Sequence, residues 1–268
     1  MNEVLRSDRG LTADEVSFFH DNGYLVVRNV VPRDLLSRLR VETAGLVEKY
    51  RDYRKEPHIY YATVEAKSFE RMMEQEESAD PANMLLWRID KLDGRLASID
   101  DLRALPFVRK AMAGLLGDDV IHYNESFVLK QPHRAPPVPW HQDPSFKTRT
   151  YDDPISTMDV YLDDADEENG CIWVVPASHK RGTINTDALM ARHGFDIPGA
   201  IPVRMRAGDV AFHNNGCLHG SRANRSERMR RIIYLAFQTR RQAAATGHYS
   251  AEDLEQFRRR FETLGGAK

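Results

Sequence analysis

Between residues 122 and 238 the chain breaks into short apolar segments of strand length separated by Gly, Pro and Asn, and this spacing confines it to an antiparallel sandwich or jelly roll. The segments run 124–130, 156–162, 171–175, 209–213, 217–221 and 230–238. Side chains along a strand alternate between its two faces. In 156–162, Met158, Val160 and Leu162 therefore form an apolar face for the outer core, and Thr157, Asp159 and Tyr161 turn toward the barrel interior. A buried carboxylate without a partner is costly. Asp159 is expected to meet a polar or cationic substrate group, to order a neighbouring side chain, or to pair with a structural Arg.

Helices flank this strand-rich core of 120–240. Residues 11–50 read as helix, strand, helix. Thr12 and Glu15 form a capping box and Asn22-Gly23 stops the helix they open. A short strand follows at 24–27, then a loosely periodic helix over 33–50. The charge-rich stretch 51–98, with Tyr60-Tyr61, Met72-Met73 and Leu85-Leu86-Trp87-Arg88, reads as helices plus a lid. A closing helix spans 250–264, with Phe257 and Phe261 one turn apart as docking points. The whole of 1–268 reads as a single domain that is mainly β with flanking helices.

Bulk properties exclude several classes. A net charge of −2 with no Lys/Arg run leaves no footprint for nucleic acid. No apolar run is long enough for a membrane span, and the first residues lack the apolar core of a signal peptide. Two cysteines, Cys171 and Cys217, make no disulfide framework, so a cytoplasmic protein is expected.

The chemistry centres on His141-Gln142-Asp143, followed 76 residues after Asp143 by His219. On a strand, His-x-Asp sends both side chains to one face. With a distant His they supply the two imidazoles and one carboxylate that hold a ferrous ion and leave positions open for oxygen chemistry. With ten His and 40 acidic residues in the chain, a bare His-x-Asp also fits a surface turn, which Pro144 suits. Arg230, eleven residues after His219 in a strand-like segment, shifts the balance toward the metal.

These residues resemble the phytanoyl-CoA dioxygenase family of iron(II)- and 2-oxoglutarate-dependent oxygenases. The resemblance covers residues 11–240. It rests on His141, Asp143, His219-Gly220-Ser221 and Arg230, on Glu168-Asn169-Gly170-Cys171, and on the segment from Val174 to Lys180, where Ala177 replaces the usual Gly. It also includes Ala207-Gly208-Asp209-Val210, and Phe18 with Gly23-Tyr24. It implies a double-stranded β-helix of the cupin-like jelly-roll type, with 51–98 helping to cover the active site.

It further implies Fe(II), 2-oxoglutarate and O₂ as cofactor and co-substrates. His141, Asp143 and His219 would hold the metal. Arg230 would grip the distal carboxylate of 2-oxoglutarate through two parallel hydrogen bonds, with Ser221, Lys130 and Thr157 beside it. Arg231 is the rival for that role, and strand alternation places only one of the two inside. Asp159 stands where the family commonly carries Trp. Asp159, Trp140, Phe146 and Tyr161 are the expected substrate contacts, while His213 and His179 read as structural or surface residues.

The reaction implied is oxidative decarboxylation of 2-oxoglutarate to succinate and CO₂, coupled to hydrogen abstraction from an unactivated C–H bond. Asp143 favours hydroxylation over halogenation, because halogenating relatives lack this carboxylate. Desaturation, cyclisation and epimerisation share the same first step. A small polar metabolite or natural-product intermediate is the expected substrate. A non-catalytic metabolite-binding barrel is the alternative, and neither substrate identity nor oligomeric state is specified by the sequence.

Overall fold

The computed structural model describes residues 5–63, 72, 83–147 and 153–264, with the side chains of Ser145 and Phe146 left out. Helix α1 (Ala13–Asn22) opens on the Thr12/Glu15 capping box and ends at Gly23, whose φ of 78° is left-handed. A Cβ there would stand 2.4 Å from the His179 ring, so both conformation and contact require glycine. Strand β1 (Tyr24–Val27) leads into α2 (Arg33–Lys49), which buries Leu35, Leu36, Leu39, Thr43 and Leu46. Val41, which reads as apolar helix face in the sequence, is exposed.

The described parts of 51–98 carry strands where helices are expected, and the lid expected there falls largely outside the described residues. These strands are β2 (Ile59–Ala62) and β3 (Leu85–Asp90), an antiparallel pair at one sheet edge. Residues 64–71 and 73–82, including Met73, lie outside the described residues. Helices α3 (Ile99–Arg103) and α4 (Pro106–Leu116) follow.

The barrel is then built from β4 (Val120–Lys130), β5 (Val138–His141), β6 (Ser156–Tyr161), β7 (Ile172–Val174), β8 (Ile201–Val203), β9 (Val210–Asn214), β10 (His219–Ser221) and β11 (Arg230–Thr239). Short helices α5 (Pro144–Lys147) and α6 (Thr186–His193) sit in its connections, and α7 (Arg240–Ala245) and α8 (Ala251–Thr263) close the chain. Ser250 and Asp253 cap α8, Phe261 is buried beneath it, and Phe257 packs edge-on against Tyr249.

Two antiparallel sheets face each other: β1-β9-β6-β11-β4-β3-β2 and β5-β10-β7-β8. This is the double-stranded β-helix. Residues paired across neighbouring strands share a face. Ile89, Phe127, Ile233, Val160 and Val210 therefore form one row on the outer face of the large sheet, where they join α2 and α4 in the main apolar core. Each such side chain removed from water contributes about 1.5–3 kcal/mol. The inner face is polar: Asp90, Ser126, Tyr234 and Asp159 form one row, and Asn124, Thr157 and His213 belong to the next. Among the described residues, no helix is long and apolar enough to cross a membrane.

Candidate functional site

Period two governs the segment Trp140-His141-Gln142-Asp143. His141 and Asp143 turn to the space between the sheets, and Trp140 and Gln142 turn away. Gln142 ties loops together from behind, donating to Gly182 O at 2.9 Å and Gly216 O at 2.8 Å and accepting from Ile184 N at 2.8 Å. His219 pairs directly with His141 across β10 and β5, bringing the two rings to 4.2 Å between centroids. Asp143 is held at the strand end by its N–H to Asn215 O at 2.9 Å.

His141, Asp143 and His219 each offer a ligand atom within 4.8 Å of the others. The Nδ1 atoms of His141 and His219 lie 2.8 Å from Pro139 O and 2.9 Å from Cys217 O. A carbonyl only accepts, so each Nδ1 carries a hydrogen and each ring turns its Nε2 inward. Asp143 Oδ1 stands 3.8 Å from His141 Nε2 and 3.9 Å from His219 Nε2. Burial, with His141 and His213 alongside, pushes His219 down to about 3 and keeps it neutral. Burial opposes the charge on Asp143, yet the surrounding imidazoles outweigh it and hold the carboxyl well below its ordinary value. This donor set fits a divalent iron with positions to spare.

Arg230 completes the arrangement. Its side chain is 1% exposed, lines the same cavity, and leaves Nε and Nη1 without a hydrogen-bond partner among the described residues. A guanidinium left open in this way, beside a metal site, fits a bound carboxylate. Arg231 faces the other way, donating to Asp163 through Nε at 2.8 Å and Nη2 at 2.9 Å. Ser221 lines the cavity on the same strand as His219, and Thr157 lines it while donating to Asn215 Oδ1 at 3.2 Å.

Residues 19–232 match the family model described as phytanoyl-CoA dioxygenase. The chain belongs to the phytanoyl-CoA dioxygenase family. It is an iron(II)- and 2-oxoglutarate-dependent dioxygenase. It is 26% identical to the phytanoyl-CoA dioxygenase of Arabidopsis thaliana, over 84% of this chain and 88% of that one. A probable alpha-ketoglutarate-dependent hypophosphite dioxygenase of Stutzerimonas stutzeri is 28% identical over 57% of each chain. The crystal structure of AviO1 from Streptomyces viridochromogenes superposes with a TM-score of 0.66 at 26% identity, over 84% of this chain and 94% of that one.

Four expected contacts of this family member fall elsewhere. Lys130 is buried, but its ammonium donates to Pro136 O at 2.5 Å and its stem runs under Gly170, so it does not line the cavity. Burial, and then Arg230, push its amine well below the ordinary value. Trp140 packs behind the small sheet with Val175, Ile197 and Leu218, its Nε1 donating to Phe195 O at 3.0 Å. Tyr161 shares the inner face but packs among Cys171, Ile172 and Val174 between the sheets, and does not line the cavity. Asp159 stops short of the cavity and meets His213 Nδ1 at 2.8 Å. The Phe146 side chain lies outside the described residues.

Other cavity residues escaped the sequence reading. Arg88, Asn124, Ser126, His213, Asn215 and Tyr234 all line it. Three of them, Asn124, Ser126 and Tyr234, continue the polar inner rows of β4 and β11, a signal that alternation in those strands carries. His213 is pushed up to about 10: burial opposes its charge, and Asp159 and Asp143 on either side outweigh burial.

Proposed function

We propose that this dioxygenase hydroxylates an unactivated C–H bond of a small polar metabolite or natural-product intermediate. The wall of the cavity carries the reading. Across from His141, Asp143 and His219, a space of about 250 Å³ is lined by Arg88, Asn124, Ser126 and Tyr234. Arg88 donates to Asp90 Oδ1 at 2.7 Å through Nε and to Ser126 Oγ at 2.7 Å through Nη2, which fixes its guanidinium in the wall. These polar side chains stand among the apolar Trp87, Val128, Val138 and Ile172, and they offer hydrogen-bond partners that a bare acyl chain would leave unused. The hypophosphite dioxygenase named above is a relative whose substrate is small and polar. Buried, free Cys171 and Cys217 suit a reducing compartment, and we place the enzyme in the cytoplasm.

His141, Asp143 and His219 would hold the iron, and Arg230 with Ser221 would hold the distal carboxylate of 2-oxoglutarate. When bound, iron and 2-oxoglutarate supply the oxidising power, with succinate and CO₂ released and a hydrogen atom taken from the substrate. The chain's own work is positional. The rigid β5–β10 pairing sets the two imidazoles, Arg230 orients the co-substrate, and the apolar packing of the two sheets limits water. Asp143 occupies the third ligand place, which favours transfer of a hydroxyl group over halogenation.

The test is succinate release and product mass with a panel of small carboxylic acids, phosphonates and amino acids beside an acyl thioester. A small polar compound that raises succinate release and gains one oxygen supports the proposal. Stimulation by the acyl thioester alone contradicts the substrate class. A product that loses two hydrogens, or that is an isomer of the substrate, replaces hydroxylation with desaturation, cyclisation or epimerisation.

A further inference from the structure

We propose that His213 and Asp159 are positioning residues that hold the second oxygen of Asp143, so that this carboxylate meets the metal through one oxygen only. The inference rests on the reading of His141, Asp143 and His219 as the metal site. The two oxygens of Asp143 have different surroundings. Oδ1 is the atom turned toward His141 Nε2 and His219 Nε2, at 3.8 Å and 3.9 Å. Oδ2 faces His213 Nε2 at 3.4 Å. On the far side of the ring, His213 Nδ1 meets Asp159 Oδ2 at 2.8 Å. This contact sets the plane of the His213 ring.

The sheet makes this chain of contacts rigid. Thr157 pairs with His213 across β6 and β9, and Asp159 is the diagonal neighbour two residues along the same face. The His213 ring is also packed 4.6 Å from His219 and edge-on to Tyr234 at 6.2 Å, so it cannot swing away without disturbing either. His213 is 4% exposed and Asp159 1% exposed, so protein contacts surround both. His213 does not belong to the ligand group itself. Its Nε2 faces Asp143 Oδ2.

The arrangement has a chemical consequence. A carboxylate with both oxygens available can bind iron through one or through both. Binding through both would fill a coordination position that the co-substrate or O₂ needs. By occupying Oδ2, His213 keeps that position open, and Asp159 keeps His213 in place. Partners of this kind, one shell out from a metal, typically change metal affinity by roughly 10–100-fold when removed.

The experiment is anaerobic titration of the full chain with Co(II), then with Fe(II) plus 2-oxoglutarate, reading affinity and the visible band. Expected for His213→Leu is a loss of metal affinity of roughly 10–100-fold and a shifted band. His213→Gln, which can still offer a donor to Oδ2, should recover most of both. Asp159→Asn, nearly the same size, should give an intermediate loss and keeps the test open if the Leu variant does not fold. Metal-free thermal unfolding reports folding separately. Wild-type affinity and an unshifted band in folded His213→Leu and Asp159→Asn would overturn the positioning role. A wild-type chain that binds neither metal would overturn the metal site itself, and this inference with it.

Discussion

The two faces of β4 and β11 each carry a buried charged cluster, and the clusters are built differently. On the outer face, beneath α8, Arg103 donates to Glu125 Oε1 at 2.7 Å through Nε and to Asp100 Oδ1 at 2.6 Å through Nη1, while its Nη2 pairs with Asp93 Oδ1 at 2.7 Å. Arg260 joins Asp93 from α8. In this cluster both arginines are paired. On the inner face, Arg230 is buried with two nitrogens open, and two imidazole Nε2 atoms and a carboxylate converge on a shared space. Charges that satisfy one another serve the fold. Charges left open at such a cost in desolvation serve something that binds.

The largest effect expected from breaking this contrast is on the outer face. Arg103→Met leaves Glu125 buried without its main partner and should lower unfolding stability by about 3–5 kcal/mol. Denaturant titration measures it, and the folded fraction should still bind 2-oxoglutarate normally. Arg230→Met should do the reverse. No partner among the described residues is lost, so stability holds or rises, but co-substrate affinity falls by about 3 kcal/mol, near 100-fold, since charged hydrogen bonds contribute roughly 1.5–3 kcal/mol each. Isothermal titration with 2-oxoglutarate would show it, and an unchanged affinity would place the carboxylate elsewhere.

Cys171 and Cys217 sharpen the comparison as buried groups on which burial is the largest influence. Burial pushes both thiols from an ordinary 9.0 up to about 12. Above pH 9 the unfolded chain loses these protons and the folded one keeps them. Their contribution is therefore constant below that pH and turns against folding as pH rises from 9 toward 12. The loss should be about 1 kcal/mol per thiol at pH 10, removed in Cys171→Ala and Cys217→Ala. The smallest effect concerns backbone alone. Ala177 sits at φ 59°, the left-handed region. Ala177→Gly should stabilise by about 1 kcal/mol, read as a raised midpoint in thermal unfolding. An unchanged or lower midpoint would show that the turn carries no strain.

Much of this was legible in the residues. The capping box at Thr12 follows from its local motif and most strands of the barrel from periodicity, whereas alternation says only that one of Arg230 and Arg231 faces inward and the family resemblance selects Arg230. Alternation also held the answer for Trp140: if His141 faces inward, its neighbour faces out, where Trp140 packs against Phe195. Lys130 shows the limit of that rule. It pairs with Arg230 across the sheet, but a carbonyl six residues on captures its flexible end. The start of strand β5 is hard to read because prolines at 136, 137 and 139 argue against a strand, while its pairing with β10 is a long-range fact. The partner of Asp159 was hidden for the same reason, since His213 arrives from 54 residues away. Periodicity tells which face a side chain takes; it does not tell what the opposite layer brings to meet it.

The most direct test of the open inner cluster is an anaerobic titration of the metal-free chain with Fe(II) and then 2-oxoglutarate, watching for the weak visible charge-transfer band of the chelate. A saturable band in wild type, lost in His141→Ala and weakened in Arg230→Ala, is the expected result. Folded wild-type protein that gives no band would contradict the account and leave a barrel that binds metabolites without this chemistry.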